Sequence, residues 1–409
     1  MDLTPLRRHR DFRLLTAGQL VSFFGTMVTE VAVAFQVFAL THSTFTVGLL
    51  GAVELVPLLI LGLAGGLFAD ARDRRRMVLG SEAAFAVMSL VLLLNAVQGH
   101  GSVALIFVLT AVRAGLFGLQ RPSLDALLPR LVDPDELPAA GAIQTLRGTI
   151  GMVGGPALGG VLIAAAGLPA AYLLDFVSFG FSLLMLYGMS AVPPPADAEA
   201  PSLRRLGEGL RYAWSRQELV GTYAVDIAAM FFGMPTALFP AIAARLGGPA
   251  VLGLLYAAPA MGSVVVGLTS GWTRTVRRHG MAVVFAATAW GLAIIAFGFA
   301  SSTLVAVVTL AVAGAGDSVS GIFRQAIWNQ TIPDRLRGRL AGIELVSYTS
   351  GPALGSIESG GVAGVFGVQA SVVSGGILCV IGVAVVTALL PRFRAYDRET
   401  FRESQTGLT

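Results

Sequence analysis

The chain has 409 residues; 55% are hydrophobic, only 13% are charged, and the formal net charge is +4. Soluble domains carry about a quarter charged residues, so this composition excludes an ordinary water-exposed surface. All 28 basic residues are arginine, which excludes a Walker A phosphate loop and Schiff-base chemistry on lysine.

Twelve apolar runs follow in chain order, at 13–40, 46–69, 77–97, 102–121, 140–166, 169–191, 218–243, 250–271, 281–300, 302–324, 340–366 and 368–390. Their length is that of a bilayer-crossing helix, about 20 residues. Arg7, Arg8 and Arg10 precede the first run as in a signal peptide. That run is too long and lacks a small-residue cleavage site, so it reads as a retained helix. The pattern predicts an all-α membrane protein: a six-helix bundle over 1–191, a linker over 192–217, a second six-helix bundle over 218–391 and a tail over 392–409. The linker opens on Pro193-Pro194-Pro195 and continues into Leu203–Trp214, an amphipathic stretch.

Apart from Arg113, Arg147 and Arg245, the arginines fall in alternate loops, the tails and their helix edges. This is the positive-inside pattern and predicts both termini in the cytoplasm. No single basic face forms, which excludes nucleic acid as a partner. His9, His42, His100 and His279 stand apart at span ends or in loops, and Cys379 is alone in a span. They offer no metal-ligand spacing and no disulfide framework. No metal, cofactor or enzymatic site is expected.

GMVGGPALGG at 151–160 and TSGPALGS at 349–356 share a Gly-Pro-Ala-Leu-Gly core. VGLLG at 47–51 resembles LGLLY at 252–256; in that register Gly62 and Gly66 fall on Gly267 and Gly271. Pro134-Asp135 before the fifth run mirrors Pro333-Asp334 before the eleventh. These repeats predict two copies of one six-helix unit, a design of many secondary transporters. Gly151, Gly155 and Gly159 share one helix face, with Pro156 as a bend and Gly160 alongside. In the eleventh span the stripe is Ser347, Gly351 and Gly355, with Pro352. Small-residue stripes let helices approach closely in lipid, and these are expected where the two bundles meet.

The loop GGLFADARDRRR at 65–76 carries Gly66, Asp70, Arg74 and Arg75. Asp70 at a helix end suits a neighbouring helix N-terminus. Arg74 is expected to pair with Asp125 at the same end of span four, forming a latch that holds one conformation. This loop resembles the signature between spans two and three of the major facilitator superfamily. It departs at Ala71, where a basic residue is usual, and at Asp73, where Gly is usual. The second half keeps Gly267, Gly271, Arg277 and Arg278 but has Thr275 in place of the Asp, which implies a one-sided latch.

Gly151, Gly155, Pro156, Gly159 and Gly160 resemble the antiporter signature of that superfamily. LTHSTFTVGL (40–49), RPSLDALLPRLV (121–132), AGAI (140–143), VPPP (192–195) and PDRLRGRLAGI (333–343) are similar to one group of bacterial exporters. That group includes the enterobactin exporter and macrolide- and tetracycline-type efflux proteins. The resemblance implies the major facilitator fold, the bacterial cytoplasmic membrane and monomeric export against an inward proton flow.

Ionisable side chains inside a span are costly and mark function by default. Glu30, on a stripe with Ser22 and Thr26, and Glu54 lie in the outer halves of spans one and two. Arg113 lies mid-span in span four, loosely resembling the superfamily's span-four arginine. These three are expected to cluster, with the carboxylates carrying protons and the cation tuning them. Asp226, Asp317, which shares a face with Arg324, and Glu358 are the next proton-coupling candidates. Arg324 and Glu344, near the cytoplasmic edge, are expected to form a gate pair or a topology contact, and Asp175 to be structural in a peripheral span six. Gln36, Phe231, Phe232, Tyr256, Phe323 and Tyr348 are the candidate cargo-cavity residues, an aromatic, weakly polar set suited to flat amphipathic molecules. The expected function is proton-coupled export of a small amphipathic molecule such as a siderophore or drug. The alternatives are an uncoupled facilitator or lipid flippase of the same fold, and a membrane receptor or enzyme.

Overall fold

A computed structural model describes residues 2–71, 73–99, 101–192 and 211–397; side chains at 63–72, 334–339, 341–343 and 345 fall outside the description. The expected linker and tail therefore lie mostly outside the described residues, as does most of Leu203–Trp214. Among the described residues there is no strand. The first half comprises α1 (Thr4–Arg8), α2 (Arg10–Thr41), α3 (Thr44–Ala71), α4 (Arg74–Val97), α5 (Val103–Leu131), α6 (Leu137–Ala166) and α7 (Leu168–Tyr187). The second comprises α8 (Gln217–Phe232), α9 (Phe239–Leu246), α10 (Pro249–Thr269), α11 (His279–Gly298), α12 (Thr303–Thr331), α13 (Asp334–Phe366), α14 (Val368–Leu389) and the short α15 (Pro391–Arg394).

Among the described residues, eleven segments are long and apolar enough to cross a membrane: α2 to α7, α8 with α9, α10 to α12, and α14. The expected eleventh span, 340–366, lies in α13. Its 33 residues give ample length, about 50 Å at 1.5 Å per residue. Glu344, Ser347, Ser350, Ser356, Glu358, Ser359 and several glycines dilute its apolar content.

Local chemistry repeats between the halves. α5 and α12 have 29 residues each, and the Ser102 and Ser302 hydroxyls cap them by accepting from the Leu105 and Val305 amides. Gly167 (φ 81°) ends α6 and Gly367 (φ 88°) ends α13, a backbone conformation that side chains with a β-carbon disfavour. Asp73 caps α4 through the Arg76 amide, a physical use for the residue that departs from the superfamily's glycine.

The chain divides into two compact units. One contains Met1–His42, Ala52–Pro201 and Ile242–Ala257; the other contains Ser43–Gly51, Ser202–Ala241 and Ala258–Thr409. The first turns of α3 thus belong to the second unit, and the first part of α10 to the first. In the first unit α7 packs along both α2 and α4, and α6 packs on α2. An apolar cluster of Phe12, Leu15, Val78, Leu127 and Leu131 closes the arginine-bearing end. In the second, α11 packs on α12 and α14, and α8 on α13 and α14. Trp328 Nε1 donates to Thr222 Oγ1 at 2.8 Å. Polarity is inverted relative to a water-soluble protein: Ser89, Ser123, Asp175 and Ser182 are fully buried, whereas Leu184 is 70% and Leu268 84% exposed. Backbone polar groups are satisfied within the helices, so the outer faces are free to be apolar.

Candidate functional site

The first unit brings Glu30 (α2), Glu54 (α3), Arg113 (α5) and Tyr256 (α10) within electrostatic reach of one another. Glu30 is accessible, and Glu54 and Tyr256 are half-buried. The cation in this group has another commitment. Arg113 Nη1 lies 3.3 Å from Asp175 Oδ2 on α7. That same oxygen accepts from Thr29 Oγ1 at 2.7 Å and Ser89 Oγ at 2.6 Å, and the guanidinium sits 5.8 Å from the Phe85 ring centroid. Arg113, expected to tune Glu30 and Glu54, acts on both and is also paired with Asp175. α7 is not peripheral in its packing; it lies between α2 and α4 and presents Asp175, with no exposure, directly to Arg113. Glu30 and Glu54 share the field of a cation that is itself paired with Asp175.

Sequence reasoning passed over a further carboxyl group. Glu82 of α4 is 2% exposed and accepts at Oε1 from both Gln19 Nε2 and Gln120 Nε2, each at 2.8 Å. The rule that singled out Glu30 applied to it equally, since it falls within the run 77–97.

In the second unit, Arg324 of α12 pairs with Asp226 of α8 and, at 3.5 Å, with Asp317 of its own helix. The expected gate pair with Glu344 is thus replaced by two aspartates, and Glu344 instead acts on Tyr223. A void of about 10 Å³ beside Asp226, Asp317, Ser320 and Trp290 is room for one water molecule. Glu358 is half-buried on α13, and no charged neighbour acts on it among the described residues.

The latch differs from its expected form. Gly66 and Asp70 fall in the stretch whose side chains lie outside the described residues. Arg74, 8% exposed, donates to the Ala126 carbonyl of α5 at 3.0 Å, not to Asp125. The Asp125 side chain is 76% exposed and meets Arg121, one turn away on the same helix, at 4.0 Å. Arg75 donates to the last carbonyls of α7, Leu186 at 2.9 Å and Tyr187 at 2.7 Å, where a cation is favoured by the helix dipole.

The glycine stripes also face partners other than those expected. A β-carbon at Gly151 would strike the Phe23 ring, one at Gly155 would strike Met27, and one at Gly159 would press on Val28. The stripe therefore seats α6 on α2 within one unit. Gly160, rotated by about 100°, is the position that meets Pro249 and Gly253 of α10. The repeat copies both contacts: Gly351 and Gly355 meet Met230 and Phe231 of α8, while Gly48 of α3 meets Ser356 of α13. Pro156 and Pro352 lie inside α6 and α13.

One cargo candidate is corrected. Gln36 is 3% exposed and accepts from Tyr172 Oη at 2.6 Å inside the first unit. Phe323 is 1% exposed, with tilted ring contacts to Trp272 and His279, and lines a cavity of about 770 Å³ with Trp272, Met281 and Phe285. Phe231 and Phe232 form a half-buried edge-to-face pair at 4.9 Å, and Tyr348 is 39% exposed. Outside the spans, His9 Nε2 sits 2.8 Å from Glu136 Oε2 and 3.9 Å from Asp133. Arg8 also holds Glu136 at 3.3 Å, so this cluster is an ion-pair network.

Comparison with known proteins agrees with this architecture. The chain is 29% identical over 398 residues to the enterobactin exporter EntS of Citrobacter koseri, covering 96% of both chains. Identity and coverage are the same for EntS of Escherichia coli O1:K1. Among solved structures, a peptide transporter POT mutant aligns at TM-score 0.77 with 12% identity, covering 95% of this chain and 96% of that one. A bacterial homologue of the human lysosomal transporter Spinster aligns at TM-score 0.75 with 15% identity, covering 94% and 98%. The fold is thus that of a multi-pass, all-α membrane transporter, not an enzyme. The profile of the transmembrane secretion effector family matches residues 1–406, and the chain belongs to that family of major facilitator transporters.

Proposed function

We propose that the protein is a proton-coupled exporter of the bacterial cytoplasmic membrane. It expels a small amphipathic molecule of the siderophore class by alternating access, with both termini, the linker 192–217 and the tail 392–409 in the cytoplasm. The observation that carries the reading is the Glu30–Glu54 pair. Glu30 acts on Glu54, and Arg113, the cation near both, is shared with Asp175. Like charges so placed are relieved by a proton, the ion that antiport exchanges for cargo. Similarity to the enterobactin exporters along nearly the whole chain supports a siderophore as cargo. The arginine distribution supports the orientation.

The test uses purified protein in liposomes with an acidic lumen. A catecholate siderophore added outside should release protons from wild type, and Glu30→Gln or Glu54→Gln should abolish the release. Equal uptake of labelled siderophore with no proton release would sink coupling. Release with a macrolide or tetracycline, but not with the catecholate, would sink the cargo assignment.

A further inference from the structure

Four helices of the first unit each present two polar side chains seven residues apart: Ser22 and Thr29 on α2, Glu82 and Ser89 on α4, Arg113 and Gln120 on α5, and Asp175 and Ser182 on α7. Seven residues make about two turns and 10.5 Å of helix, so the eight residues form two layers. All eight are buried. Glycines of α2 keep this interior open. A β-carbon at Gly25 would run into Ser178 Oγ and Asp175 Oδ1, and one at Gly18 would press on Ser182 Oγ at 3.2 Å.

The layers differ in charge. The upper one is neutral as it stands, with Asp175 opposite Arg113 and hydroxyls from Thr29 and Ser89 on the same carboxylate oxygen. The lower one contains a single carboxyl group. Glu82 Oε1 accepts from two carboxamides. Ser22 and Ser182 lie close enough to act on the group, although Oε2 and Ser182 Oγ meet no partner in strict hydrogen-bond geometry among the described residues. Arg147 of α6 is the cation that faces this layer, and Asp125 of α5 acts on Arg147 in turn. The guanidinium makes no direct ion pair with Glu82: Nη1 donates to the Gln19 carbonyl at 3.2 Å, the group lies 5.6 Å from the Phe23 ring centroid, and Nε has no hydrogen-bond partner among the described residues. A buried ion without a bonded counter-ion is very costly. A neutral acid fits the donor pattern, with Oε1 as the carbonyl accepting two N–H groups and Oε2 as the hydroxyl on the side of the Ser22 and Ser182 oxygens, which can accept.

We propose that Glu82 is a second proton-binding site, at the inner end of this polar interior. The proposal rests on the coupled reading above, in which Glu30 and Glu54 form the first site. Gln19, which holds Glu82, and Glu30 are about 16 Å apart along α2. The hydroxyls of Thr29, Ser89, Ser178, Ser182 and Ser22 occupy the levels between. A proton taken up at the outer pair would leave toward the cytoplasm from Glu82, past Arg147.

Infrared difference spectroscopy on the purified full chain tests this without cargo. The expected result is a carboxylic-acid C=O band that shifts on exchange into D2O and is missing in Glu82→Gln but retained in Glu30→Gln. Superimposable wild-type and Glu82→Gln spectra in that region would overturn the proposal. Should Glu82→Gln not fold, Gln120→Leu removes one donor and must move the same band upward in frequency; an unmoved band is equally fatal. Proton release in the liposome assay should also be lost in Glu82→Gln. If wild type releases no protons with any cargo, the coupled reading fails, while the infrared band still decides the state of Glu82.

Discussion

Glu30 and Glu54 differ from Asp175 in what surrounds their charge. Asp175 has a bonded cation and two hydroxyls; Glu30 and Glu54 have only the field of that arginine, without an ion pair to it among the described residues. Substitution should separate these roles. Glu30→Gln and Glu54→Gln are expected to leave thermal stability close to wild type while abolishing proton release. Breaking the Arg113–Asp175 pair from one side strands a buried charge and should cost about 3–5 kcal/mol, read as a lower melting temperature. The double variant Arg113→Leu/Asp175→Leu should recover most of that loss, because isosteric apolar pairs are often no less stable. A double variant as unstable as the sum of the singles would mean the two residues do not act as a pair. At this scale the sequence showed that Glu30, Glu54 and Arg113 matter, because charge in an apolar run is conspicuous. It did not show which carboxylate holds the arginine, since Arg113 and Asp175 sit 62 positions apart on separate helices.

Helices in this protein meet through small residues whose partners depend on rotation about the axis by single positions. Gly151, Gly155 and Gly159 place α6 on α2, while the adjacent Gly160 places it against Gly253 of α10. Gly253→Leu and Gly48→Leu would drive side chains into the backbone carbonyls of Pro156 and Ser356. Each is expected to cost about 1–3 kcal/mol by overpacking and to slow transport, which stopped-flow cargo efflux would report. Unchanged efflux in both would argue against any mechanical role for these contacts. Arg75→Ala should loosen the end of α7 by roughly 1 kcal/mol, since it removes charged donors from two terminal carbonyls that are partly exposed. Hydrogen exchange at 186–190 would show it. The glycine stripes were plain in the sequence as spacing by four. Which neighbour each stripe meets was not, because a period of 3.6 defines a face without saying what lies opposite.

For the molecule as a whole, the prediction concerns direction. If the arginine-bearing ends face the cytoplasm, a protease outside intact cells should leave tags at both termini uncut, and an inward proton gradient should accelerate siderophore export. Cleavage of either tag would reverse the assignment of inner and outer layers made for Glu30 and Glu82. Composition, run length and arginine placement already determined a twelve-span, all-α membrane protein in two repeated halves. Those properties follow from the cost of burying polar backbone and charge in lipid, and each segment meets that cost by itself. Tertiary structure alone decided that Arg113 belongs to Asp175, that Arg324 sits between Asp226 and Asp317, that Arg74 turns to a backbone carbonyl instead of Asp125, and that Glu82 is buried among carboxamides. Apart from Arg324–Asp317, which lies within one helix, these are contacts between helices, where lipid offers no hydrophobic preference between apolar faces and close packing and hydrogen bonding choose the partner.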